Sequence, residues 1–100
     1  MKPLAFAVAI YLLGMAGAHG HDAPIGWPYG IECCSVNDCY QLKTTVTATQ
    51  TGWLISETGE LIPYGDSRLR VSRDEFFHRC AFGGGTDKRA ICLYVPTPAY

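Results

Sequence analysis

Three of the five cysteines fall within seven residues: Cys33, Cys34 and Cys39 share the stretch CCSVNDC, while Cys80 and Cys92 lie far downstream. How these sulfurs pair decides whether a 100-residue chain becomes a stapled domain, a metal site or a redox device. A chain this short buries a marginal core, so covalent staples are expected. Five is odd. At most two bridges close within one chain, and the sulfur left over is available as a thiol or for an intermolecular disulfide.

The compartment follows from the first residues. Lys2 precedes an uncharged apolar run over 4–13, and small residues follow, with Ala16 and Ala18 spaced for a signal peptidase. The run is shorter than the about 20 residues that a membrane span needs. The chain therefore divides into a cleaved signal peptide at 1–18, an irregular arm at 19–32 and a single disulfide-stabilised domain at 33–100. No stable membrane anchor is expected after cleavage. The predicted location is periplasmic or secreted, where disulfides persist. With 8 Lys+Arg against 9 Asp+Glu and a net charge of −1, nothing points to nucleic acid as a partner.

The arm carries Pro, Gly, Trp27 and Tyr29 without regular periodicity. Trp27 and Tyr29 share parity, so their rings lie on one face, to cover the core or to serve as a ligand platform. Residues 40–51 are β-branched and alternate, with a break at Thr44. Residues 53–56 and 61–64 read as further strands, the latter confined to an edge by Pro63. In 68–72 the alternation sends Leu69 and Val71 inward and Arg68 and Arg70 outward. Ser72 and Glu75 match a capping box, which predicts one helical turn near 73–77. A strand through Cys80, a glycine loop at 83–85 and a last strand at 90–95 complete an all-β domain. It reads as a meander of about five short strands.

Cys80 and Cys92 sit symmetrically about Thr86, so the hairpin register favours a Cys80–Cys92 bridge worth about 3 kcal/mol in the chain-entropy model. Cys34 and Cys39 enclose a turn-forming tetrapeptide and would close a second, local loop. Cys33 would then be the odd thiol, since adjacent cysteines on an extended chain face opposite ways. A rival scheme joins Cys33 to Cys80 or Cys92. That longer loop is worth about 4 kcal/mol and ties the ends of the fold together. Zinc is disfavoured by the absence of a Cys-x2-Cys pair.

Cleavage after Ala18 would expose His19-Gly20-His21. A terminal amine, two backbone amides and the imidazole of His21 can enclose square-planar Cu(II). Alternatively, the amine and ring of His19 pair with His78 or His21. This start resembles those of copper-dependent polysaccharide oxygenases and small periplasmic copper carriers. Arg68 and Arg70, with Arg73, Arg79 and Arg89 nearby, form a candidate anion site. Their other reading is a solvated strand face opposite Asp66, Asp74 or Glu75. Phosphate-loop, zinc-protease and serine-hydrolase motifs are missing.

The first functional expectation is an exported structural or binding module without catalysis and without a cofactor. The second is a periplasmic copper-binding protein using His19 and His21. The third is an enzyme acting through Cys33 as nucleophile or redox thiol with His78.

A wider resemblance rests on His21-Asp22, Glu32-Cys33-Cys34-Ser35, Asp38-Cys39, Gly59-Glu60-x-Ile62-Pro63-Tyr64-Gly65-Asp66, Arg70 with Ser72, His78-x-Cys80 and Cys92-x-x-Val95-Pro96. In these residues the chain resembles a family of small exported cysteine-rich proteins, mostly alphaproteobacterial, with no assigned activity. The resemblance implies export and a shared β domain, and it supplies no catalytic residues.

Overall fold

The computed structural model describes residues 21–35 and 37–97. The expected signal peptide, its expected cleavage point and His19 lie outside the described residues.

The domain is all-β. Among the described residues seven strands form: β1 (Cys39–Gln41), β2 (Val46–Ala48), β3 (Gly52–Ile55), β4 (Leu61–Pro63), β5 (Leu69–Ser72), β6 (His78–Ala81) and β7 (Ala90–Pro96). They build two sheets, one ordered β1-β6-β7-β5 and one ordered β2-β3-β4. Only the second is a meander. In the first, β7 runs antiparallel to β6 and parallel to β5. The stretch 40–51 is two strands rather than one. The break in its alternation at Thr44 is where the chain leaves the first sheet for the second.

Strand β7 is the centre of the molecule, and its sequence shows why. Apolar residues occupy both parities, so it is buried on both faces. Cys92 and Tyr94 join a cluster with Ala23, Tyr29, Cys33, Cys34, Cys39 and Cys80, against which Trp27 packs. Leu93 and Val95 join a second cluster with Trp53, Ile55 and Ile62 of the three-stranded sheet. The layers are therefore arm, four-stranded sheet, three-stranded sheet.

The expected helical turn at 73–77 is absent. Ser72 does not reach the amide of Glu75; its Oγ accepts from Asp74 N–H at 3.2 Å, and the Asp74 carboxylate accepts from Phe76 N–H at 2.8 Å. Two side chains thus satisfy the backbone locally in competition with a helix. Among the described residues the one helical turn is a 3-10 turn at Phe82–Gly84, where Gly83 and Gly84 have φ of 63° and 72°. Side chains other than glycine resist that region. Val71 also departs from expectation, being 52 % exposed on the edge strand β5.

The disulfides are Cys33–Cys92 and Cys39–Cys80, with Cα separations of 5.7 and 3.9 Å. The Cys80–Cys92 and Cys34–Cys39 pairings are therefore corrected, and Cys33 is not the odd thiol. The hairpin register does place Cys80 opposite Cys92. However, β1 adds on the other side of β6 and brings Cys39 opposite Cys80 as well. Cys80 bonds to β1, and Cys92 is left for the arm. Cys33 and Cys34 do not face opposite ways, because both amides donate to Gly30 O, at 3.0 and 2.9 Å. That turn carries both sulfurs inward.

The two bridges close loops of 59 and 41 residues of sequence separation, each worth about 4 kcal/mol in the chain-entropy model. Replacing Cys33 and Cys92 together by alanine is expected to lower the melting temperature by roughly 15–30 °C. Scanning calorimetry at fixed pH checks this; an unchanged transition would contradict it.

Candidate functional site

The described groups with chemical potential converge where the arm meets the four-stranded sheet. The arm folds on itself: Ala23 N–H donates to Trp27 O and Gly26 N–H to Ala23 O, both at 2.8 Å. Asp22 pairs with Pro28 as an isolated antiparallel bridge. This places Trp27 and Tyr29 on the sheet-facing side, as their parity predicts. Their rings meet edge-on at 5.0 Å, and Trp27 meets His78 and Tyr94 at 5.0 and 5.2 Å. Edge-on contact is the favoured geometry for such pairs.

Beneath the rings runs a buried polar chain. Tyr29 Oη lies 2.7 Å from His78 Nδ1, and His78 Nε2 lies 2.8 Å from Asp74 Oδ1. The indole N–H of Trp27 donates to Asp74 Oδ2 at 2.8 Å. His78 and Tyr29 are wholly buried, and the Asp74 side chain is 2 % exposed. Burial pushes the Tyr29 phenol up, helped by the negative charge of Asp74, so it stays protonated. In the neutral ring with Nε2–H given to the Asp74 carboxylate, Nδ1 is the acceptor and the Tyr29 O–H its donor. Burial also pushes the Asp74 carboxyl up, but hydrogen bonds from His78, Trp27 and the Phe76 amide outweigh it and hold the group below its ordinary range. A tyrosine that keeps its proton is a poor nucleophile, so this chain of bonds fastens the arm.

The predicted Cys33–His78 couple does not form. Cys33 is bonded to Cys92, and both His78 nitrogens are engaged. The sulfur outside both bridges belongs to Cys34, wholly buried, with Sγ 2.6 Å from His21 Nδ1. An interchain disulfide through this sulfur would require the arm to lift. His78 is unsuited as a partner for a copper site at His19. As the third residue of an amino-terminal chelate His21 would have to give up Cys34, because Nδ1 is the ring nitrogen that closes a chelate with its own amide. Among the described residues no three of His, Cys, Asp and Glu gather as a metal cage.

The arginines separate. Arg68 clasps Asp66 through two hydrogen bonds of 3.0 Å and holds that carboxyl down at about 2. Arg70 lies on the arm side, 3.6 Å from Glu32. Arg79 is not part of a solvated face. It is wholly buried on the opposite face of β6, donating to Glu60 at 2.7 Å, to Tyr40 Oη and Gly85 O at 3.1 Å, and to Lys88 O. Burial raises the carboxyl of Glu60, but the hydrogen bonds from Arg79 and the Ala90 amide bring it below its ordinary value. Asp38 behaves alike: amides of Gly83 and Ser35 overcome burial. The sequence signal for Arg79 was its place inside an apolar strand. Asp74 had only its position four residues before His78.

Four carboxylates with lowered values, Asp38, Glu60, Asp66 and Asp74, make stability depend on acid. Each holds fewer protons folded than unfolded, so its contribution is complete above about pH 4 and lost as pH falls below that. Asp74→Asn is expected to cost about 3 kcal/mol at pH 7 and to flatten the acid limb of the stability curve. Urea unfolding between pH 2 and pH 7 checks this, and an acid limb as steep as that of the parent protein would contradict it.

No protein-family model, curated protein or solved structure matches the chain.

Proposed function

We propose that the chain is an extracytoplasmic binding module, periplasmic or secreted, whose recognition surface includes the outer side of the fastened arm. Two disulfides suit an oxidising compartment. The observation that carries the reading is the use of Tyr29, His78, Asp74 and Trp27 to lock the arm onto the sheet. Groups that could do chemistry in a cleft are spent on rigidity, and rigidity lowers the ordering cost of binding. Export and a β domain are also what the family resemblance implies.

A second reading, thiol chemistry, is favoured by the approach of Cys34 Sγ to His21. A base beside a thiol is the arrangement that generates a thiolate. Here the sulfur is wholly buried, so this reading needs an arm that opens.

Native-state hydrogen exchange separates the two. The binding-module reading predicts that the amides of Ala23, Cys33 and Cys34 are protected within about tenfold of those in β6 and β7. Arm amides exchanging near the rate of unstructured peptide, with β7 still protected, would overturn it in favour of a gate over Cys34.

A further inference from the structure

Between the arm and the edge strand β5 lies an open cleft of about 420 Å³, lined by Trp27, Ile31, Glu32, Arg70, Arg73 and Tyr94 among others. Its walls are fixed. Trp27 is tied to Asp74, and Tyr94 Oη accepts from Gly30 N–H at 2.9 Å. Two arginines, Arg70 and Arg73, are among its lining residues. Arg70 is oriented by its own strand: Nη1 donates to Ser67 O at 2.6 Å and to Leu69 O at 2.9 Å. The Nε edge is thereby turned to the cleft. Arg73 makes no hydrogen bond or ion pair among the described residues and lines the same space.

Opposite the Nε edge sits the carboxylate of Glu32, from the arm. A Cβ on residue 30 would crowd it, so Gly30 leaves room for the carboxylate in this position. Yet the pair is loose. Nε and Oε1 are 3.6 Å apart, beyond hydrogen-bond distance, and the Glu32 side chain is 56 % exposed. An exposed pair at that spacing contributes little. An arginine held in place, a second arginine with open donors, and a carboxylate loosely parked between aromatic walls describe a carboxylate site with an internal occupant.

We propose that this cleft binds an organic carboxylate with an apolar body, its two oxygens displacing Glu32 from Arg70, with Arg73 as the second guanidinium. The apolar body lies along Trp27 and Ile31, the latter 58 % exposed. Two nitrogens of one guanidinium can grip both oxygens, a geometry that Glu32 does not reach. Glu32 then acts as a competitor that sets the threshold for binding. The proposal rests on the binding-module reading and names its ligand chemistry. That chemistry is shared by a free organic acid and by the terminal carboxylate of a peptide.

The test is an amide and indole chemical-shift titration of the exported protein with four probes. These are 3-phenylpropanoate, the neutral 3-phenylpropanol, an acetylated tripeptide ending in a phenylalanine carboxylate, and its terminal amide. At least one acid is expected to shift Gly30, Ile31, Arg70 and the Trp27 indole, and to bind on the order of tenfold more tightly than its neutral counterpart. Binding by the free acid assigns small acids; binding by the peptide acid alone assigns a chain terminus. Glu32→Gln should tighten binding several-fold, and Arg70→Ala should abolish it while leaving the melting transition in place. Equal binding of acid and neutral probes, weaker binding by Glu32→Gln, or no shift with either acid would overturn the proposal. A protected arm in hydrogen exchange would in that event leave the binding-module reading standing.

Discussion

The structure depends on where two sulfur bonds start. Both leave the β6–β7 hairpin from directly opposed positions, Cys80 and Cys92, and they run outward to different elements. One fixes the short β1 to the side of β6. The other fixes the arm to the face of β7. A bond between the two hairpin cysteines would have stapled what backbone hydrogen bonds already hold together. By diverging, the bridges constrain two parts outside the hairpin: a three-residue edge strand and the arm. In a chain with a marginal core, that is where a restriction of the unfolded state is most useful.

On that frame, two buried polar assemblies specify how the layers stack. Arg79 with Glu60 joins β6 to the turn before β4 and to the loop before β7. Tyr29, His78, Asp74 and Trp27 join the arm to the opposite face. Among the described residues no buried side-chain nitrogen or oxygen lacks a partner. Full satisfaction matters because an unpaired buried polar group costs about 1–3 kcal/mol. Adjacent residues of one strand, His78 and Arg79, thus serve opposite faces, as strand geometry requires. These bonds hold the arm against the sheet, beside the cleft that Arg70 and Arg73 line.

The sequence makes the all-β class, the strand positions after residue 52 and the hairpin register legible, because alternation and turn residues are local signals. The shared face of Trp27 and Tyr29 is legible for the same reason. The disulfide partners are not. Cys80 has two neighbours in register, and nothing near residues 39–41 announces that they pair with β6 instead of continuing into β2. The capping box at Ser72 is misleading because Asp74 has a second demand on it: its carboxylate serves His78 and Trp27, and the backbone bends to deliver it. Arg68 and Arg70 look alike on an alternating strand, yet one is neutralised by Asp66 two residues away and the other faces an arm 38 positions upstream. Long-range partners of that kind leave no trace in local pattern.

The claim on which all of this stands is the divergent pairing at the hairpin. Proteolytic mapping of the unreduced protein by mass spectrometry, at acidic pH to prevent exchange, measures it directly. The account predicts linked peptides carrying Cys33 with Cys92 and Cys39 with Cys80, and a separate peptide carrying Cys34. A linked peptide joining Cys80 to Cys92 would contradict it.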